Sequence, residues 1–172
     1  ASLEPEAPDA TISIKPTLMG TRVSVDLARE NIYEVFEQAD ARSVGVQIDM
    51  EDHSTTDDTL DLYHEMLRAH GASGVALQAR LRRTLEDARN IDPAGAIRLC
   101  KGIYAEPEDV AYTRPDQINA GFLRALEILL DRGVYVGIAT HDDHLVQEAE
   151  KMIRARDLDP EQYEFQMLLG VR

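Results

Sequence analysis

Six short runs of Ile, Val and Leu, each separated from the next by a stretch with helical spacing, constrain this chain more than any other feature. They are Thr11–Lys15, Val44–Met50, Gly74–Gln78, Ile97–Gly102, Val134–Thr140 and Phe165–Val171. Several lack polar alternation, which is the pattern of parallel strands covered on both faces. Between them, Leu27, Ile32, Val35, Phe36 and Ala39 form one apolar stripe, and Leu60, Tyr63 and Leu67 form another. Leu81, Leu85 and Ala88 predict a third, shorter helix. Phe122, Leu126, Leu129 and Leu130 predict a fourth, with Gly133 at its C-terminal cap. Leu145, Ala149, Met152 and Ile153 supply the last. Pro107 and Pro115 fall in a loop, where they break helix growth.

Strand–helix alternation with short connections means an α/β fold with a parallel sheet. The spacing of about 30 residues matches one unit of an eight-stranded (βα)8 TIM-type barrel. A doubly wound open sheet has the same alternation, but no Gly-x-Gly-x-x-Gly turn follows any of the runs. Six strands do not close an eight-stranded barrel, so the choice is a barrel lacking about two units or an open sheet. Residues 1–10, rich in Pro, Ala and acid, read as a linker, and residues 11–172 as the βα domain.

The net charge of -14 is spread along the chain. It offers no basic stripe to nucleic acid or to anionic lipid, so a small-molecule partner is expected. The single cysteine, Cys100, lies in the apolar run Ala96–Cys100 and reads as a small buried residue. It can form no internal disulfide, and a thiolate zinc site would need more cysteines. No apolar run reaches the ~20 residues that span a bilayer, and no signal-peptide pattern opens the chain. A reducing, cytoplasmic compartment is the expectation.

Catalytic groups of a βα barrel sit at the C-terminal ends of strands and in the loops that follow. Those positions hold Lys15; Asp49 with Glu51 and Asp52; Gln78; Arg98 with Lys101 and Tyr104; Thr140 with His141 and Asp142; and Gln166. Each has a plain alternative. Lys15 reads equally as a solvated strand exit, and Gln78 as a partner for backbone groups. The three carboxylates could cap the next helix, with Ser54 or Thr55 as N-cap, and His141 could cap another. Asp49, however, follows an apolar run and needs a partner, and Arg98 interrupts an apolar strand with a charge it cannot discharge. His53, His64, His70 and His144 read as surface residues. Cations gathered at one end of a parallel sheet suit a phosphate or a substrate carboxylate. No nucleophile with an obvious base stands out.

Six ordered pieces together resemble the proline dehydrogenase family: Ser13–Thr17, Ile48–Asp52, Leu77–Ala79, Arg98–Tyr104, Ala139–Asp142 and Glu164–Gln166 through Gly170. The resemblance runs from about Thr11 to Arg172. It implies a distorted (βα)8 barrel holding FAD non-covalently, of which this chain supplies strands two to seven. The first strand, the eighth strand and a final helix with a tyrosine and paired arginines would then lie outside it.

The resemblance also implies roles. Lys15 would bind the proline carboxylate or hold its site in order, and Asp49 would organise the cationic groups. Arg98 would stabilise negative charge on the reduced flavin. Met50, Gln78, Lys101, Gly102, Ile103, Thr140 and His141 match cofactor-contacting positions, and Tyr104 and Leu168 match the proline pocket. Pro16 and Ile103 depart from the usual leucine and alanine. The implied reaction is hydride transfer from L-proline to flavin N5, giving pyrroline-5-carboxylate, with electrons passed to a quinone. It would bring peripheral contact with the inner face of a membrane and a pyrroline-5-carboxylate dehydrogenase partner.

Two competing readings are kept. A metal-dependent barrel hydrolase would use Asp49, Glu51, His53, His141 and Asp142, but no His-x-His lies on a strand, and Arg98 and Lys101 would face the cation. A non-catalytic barrel fragment would act by association through unpaired sheet edges.

Overall fold

The computed structural model describes residues 10–71 and 73–171. All but the last residue of the expected linker, residues 1–10, lies outside the described residues. The chain divides into two compact units, Ala1–Val75 and Ala76–Arg172. Within each unit the strands follow one another in chain order.

In the first unit, β1 (Thr11–Ile14) pairs in parallel with β2 (Gly45–Ile48), and β2 with the start of β3 (Ser73–Gln78). Helix α1 (Pro16–Met19) is a single turn, α2 spans Val25–Asp40 and α3 spans Thr56–His70. Every residue of β3 is buried, as expected for a strand covered on both faces. The α2 stripe is turned slightly from expectation: Ala28, Ile32, Phe36 and Ala39 are buried while Leu27 is exposed. From α3, Leu60, Tyr63 and Leu67 are buried as expected, joined by Leu62 and Met66.

In the second unit, β4 (Ala96–Cys100), β5 (Tyr135–Ala139) and β6 (Tyr163–Gln166) pair in parallel. Helix α4 spans Thr84–Asn90, α5 Pro115–Asp131 and α6 Asp143–Ala155. Phe122, Leu126, Leu129 and Leu130 are buried along α5, and Leu145, Ala149 and Ile153 along α6. Gly133 follows the α5 cap in the left-handed region, the usual way to end a helix.

Several expectations are corrected. Pro115 begins α5 instead of breaking it, because the first helical position needs no N–H and its φ suits the proline ring. Leu81 precedes α4 and joins Ala111 in an antiparallel bridge. The last strand covers Tyr163–Gln166, not Phe165–Val171. Its register with β5 ends at Ala139↔Gln166, and Met167–Gly170 are exposed. Cys100 is half-buried, its thiol 3.6 Å from the Leu77 carbonyl oxygen. His70 is not a surface residue: its side chain is 6% exposed, packed against the rings of Tyr33 and Phe36, with Nδ1 2.6 Å from Asp40. Among the described residues no helix is long and apolar enough to cross a membrane.

Candidate active site

In the first unit, Lys15 and Asp49 leave the ends of two strands that pair in register through Ile14 and Ile48. The Asp49 N–H continues the ladder by donating to the Ile14 carbonyl at 2.8 Å. The two side chains therefore emerge together, with Lys15 Nζ 2.9 Å from Asp49 Oδ2. The ammonium is about half exposed and the carboxylate mostly covered, so the pair is a cation presented at the strand exits on a fixed carboxylate. Met50 is buried next to it in sequence.

The other two carboxylates do different work. Glu51 is buried and accepts from both the backbone N–H and the hydroxyl of Thr17, each at 2.8 Å, which anchors the α1 turn. Pro16 starts that turn, where a proline is well suited. Asp52 caps the 3₁₀ turn His53–Thr55 by accepting from the Ser54 N–H at 3.0 Å. The Ser54 hydroxyl holds the Asp52 carboxyl below its usual range, helped by Arg22. Thr55 occupies the N-cap position of α3 without a side-chain capping bond, its hydroxyl donating instead to the Asp52 carbonyl at 2.9 Å.

In the second unit, Gln78 is buried at the end of β3 and its carbonyl accepts from Thr84 Oγ1 at 2.5 Å. Gly102, with φ of 92°, lies against it: a Cβ there would stand 2.6 Å from Gln78 Oε1 and 3.0 Å from Arg80 Cγ. The sequence calls for glycine there on both counts, backbone conformation and space. Arg80 also donates to the Tyr104 carbonyl, which ties the loop carrying Ile103 and Tyr104 to the exit of β3. Ile103 itself is almost fully exposed and Tyr104 half-buried.

Arg98 alternates along β4 with buried Ile97 and Leu99. Its Nε donates to Gln166 Oε1 at 2.6 Å, and Gln166 Nε2 donates to Glu164 at 2.6 Å. This bond passes over Gly137 of β5, which is the cross-strand neighbour of both Arg98 and Glu164. A Cβ on Gly137 would sit 2.5 Å from Gln166 Nε2, so the missing side chain leaves the gap that Gln166 fills.

Lys101 follows β4, and its Nζ is 2.6 Å from Asp142 Oδ2. The same oxygen accepts from Asn119 Nδ2 at 3.3 Å, and Oδ1 caps α6 by accepting from the N–H groups of His144 and Leu145. The hydrogen bond and charge of Lys101 pull the Asp142 carboxyl down to about 2, while burial acts in the opposite sense. Thr140, buried, accepts from the Asp142 N–H at 3.1 Å. Asp142, not His141, is thus the helix cap.

His141 Nε2 accepts from the Leu168 N–H at 3.1 Å, which places the proton of the neutral ring on Nδ1. That Nδ1 is buried and has no partner among the described residues. Leu168 itself is exposed.

The structure therefore joins Lys15 with Asp49 in the first unit. In the second it groups Gln78 with Gly102, Lys101 with Thr140 through Asp142, and His141 with Leu168. Arg98 is bonded to Gln166. Asn119 and Arg80 carried no signal in the sequence, since they sit within a helix and a loop. Asp142 did carry one, an acidic residue directly before an amphipathic helix. Among the described residues no three His, Cys, Asp or Glu side chains could hold a metal ion.

The model of the family described as proline dehydrogenase matches residues 2–171. Proline dehydrogenase 2 of Bacillus subtilis (strain 168) is 30% identical over 173 residues, covering 100% of this chain and 57% of that protein. Proline dehydrogenase of Deinococcus radiodurans is 32% identical over 150 residues, covering 86% of this chain and 48% of that one. The chain thus spans about half the length of these curated relatives. In fold, it matches the crystal structure of proline utilization A from Bdellovibrio bacteriovorus inactivated by N-propargylglycine, with a TM-score of 0.82 and 22% identity. That match covers 92% of this chain and 20% of the other. A mutant of the Bradyrhizobium japonicum protein of the same name gives a TM-score of 0.78 at 18% identity, covering 93% and 19%. The βα-barrel architecture expected from the sequence is the one these folds share with it.

Proposed function

Because the chain belongs to the proline dehydrogenase family, we propose that the protein containing it catalyses the FAD-dependent oxidation of L-proline to 1-pyrroline-5-carboxylate, with a quinone as the final acceptor. When bound, FAD supplies the hydride acceptor. The observation that carries the cofactor reading is His141: its proton is fixed on a buried Nδ1 that no described residue accepts. A buried donor of this kind calls for an acceptor, and the oxygens of a ribityl-phosphate chain provide one.

The rest of the second unit fits the same group. Lys101 keeps two N–H donors beyond the one facing Asp142. Gln78, Gly102, Ile103 and Thr140, together with Met50 of the first unit, are proposed cofactor contacts by resemblance, and Gly102 presents a backbone unobstructed by a Cβ. Arg98, bonded to Gln166, is proposed to supply a fixed positive charge where negative charge develops. In the first unit, Lys15 is oriented by Asp49 and is proposed to bind the substrate carboxylate. Tyr104 and Leu168 are proposed walls of the proline pocket. The quinone acceptor, cytoplasmic placement with peripheral contact at the inner face of the membrane, and a pyrroline-5-carboxylate dehydrogenase partner rest on family resemblance.

The test is an absorbance spectrum of the intact protein before and after anaerobic addition of L-proline. A flavin band that bleaches supports the reading. Absence of flavin, or a band that proline leaves unchanged, refutes it.

A further inference from the structure

A helix N-cap needs only a neutral acceptor, and Ser or Asn perform as well as Asp. The carboxylate of Asp142 does more than cap α6. Its Oδ1 accepts from His144 N at 3.0 Å and Leu145 N at 3.4 Å, while its Oδ2 accepts from Lys101 Nζ at 2.6 Å and Asn119 Nδ2 at 3.3 Å. Its own N–H donates to Thr140 Oγ1 at 3.1 Å. One residue, through its side chain and its backbone N–H, therefore ties together the exits of β4 and β5, the first turns of α5 and the start of α6.

Electrostatics explains why the residue is acidic. The N-terminus of α6 carries partial positive charge from its unpaired N–H groups and would repel an ammonium nearby. Asp142 stands between the two and satisfies both. Without the carboxylate, Lys101 would lose its charge-assisted partner and turn to solvent, since its side chain is already 36% exposed. We propose that Asp142 is a positioning residue of the FAD site: it holds Lys101 at the end of β4 with two N–H groups left for an anionic or ribityl oxygen. The depressed carboxyl, at about 2, agrees with a pair that stays ionised throughout the working range of pH.

This inference rests on the FAD reading, so its test separates the two. Asp142→Asn retains the cap oxygen but turns an amide N–H toward the ammonium, which breaks the Lys101 contact together with the longer bond from Asn119 and leaves the cap in place. Asp142→Ser is a second variant that keeps the cap. FAD affinity is read by fluorescence titration of the flavin-free intact protein, alongside its melting temperature. Asp142→Asn and Lys101→Met should each weaken FAD binding about tenfold, the scale of one charge-assisted hydrogen bond. The double variant should be no weaker than either alone, because both remove the same contact. Asp142→Asn should stay folded with a cooperative melting transition, its melting temperature lowered only by the loss of the ionised pair. Parent-like FAD affinity in both Asp142 variants, or effects that multiply in the double variant, would overturn the role of Asp142 alone. Failure of the parent to bind FAD would overturn the functional reading and this inference with it.

Discussion

Gly137→Ala tests the way Arg98 is held. The new Cβ would stand 2.5 Å from Gln166 Nε2 and 2.8 Å from Gln166 Cδ, too close for any real contact. The obstacle is the far end of a flexible side chain, so the backbone of β5 need not move; Gln166 swings away instead. The cost is then set by what Gln166 gives up: the 2.6 Å bond from Arg98 Nε and its own 2.6 Å bond to Glu164. A hydrogen bond to a charged group contributes about 1.5–3 kcal/mol. Arg98 keeps other interactions, which puts the expected loss at the low end, about 1.5 kcal/mol. For a domain of this size that lowers the melting temperature by about 3–6 °C. The assay is urea or thermal unfolding of the parent, Gly137→Ala, Gln166→Ala and the double variant. Because Gln166→Ala removes both the obstacle and the bond, adding Gly137→Ala to it should cost under about 0.5 kcal/mol. The reasoning is wrong if Gly137→Ala costs the same with and without Gln166, or costs nothing in the parent.

Three further outcomes follow from the geometry. Asp49→Asn should change unfolding free energy by less than about 1 kcal/mol, since its partner Lys15 is half exposed, yet raise KM for proline about tenfold; steady-state kinetics on the intact protein check this. Glu51→Ala should cost about 1–2 kcal/mol in denaturant unfolding, because it leaves the half-buried N–H and hydroxyl of Thr17 without their acceptor. The Asp142 carboxyl is lowered from 3.8 to about 2 in the folded state, so its contribution is complete above about pH 4–5 and lost as pH falls toward 2. The stability difference between parent and Asp142→Asn should therefore be flat from pH 5 to 8 and shrink below pH 4, measured by unfolding across that range.

The sequence by itself determined the class of fold, and the reason is local. Runs such as Gly74–Gln78 show no polar alternation to offer water, so a strand there must be covered on both sides, and β3 is buried at every position. The stripe through Phe122, Leu126 and Leu129 likewise permits only a helix with one face inside. The strand-exit positions followed from the same alternation, which is why Lys15, Asp49, Arg98, Lys101 and His141 were legible. What those side chains touch was not. Lys15 and Asp49 lie 34 residues apart and Arg98 and Gln166 lie 68 apart, and each pair meets only because parallel strands stand in register. The same holds for Asp142, legible as a cap but not as the partner of Lys101 and Asn119. His70 was misread because nothing adjacent in sequence marks it as buried; Tyr33, Phe36 and Asp40 enclose it from another helix. Propensity and periodicity act over a few residues and leave their record in the sequence. Partnership between distant groups depends on strand register and helix packing, which only the folded chain decides.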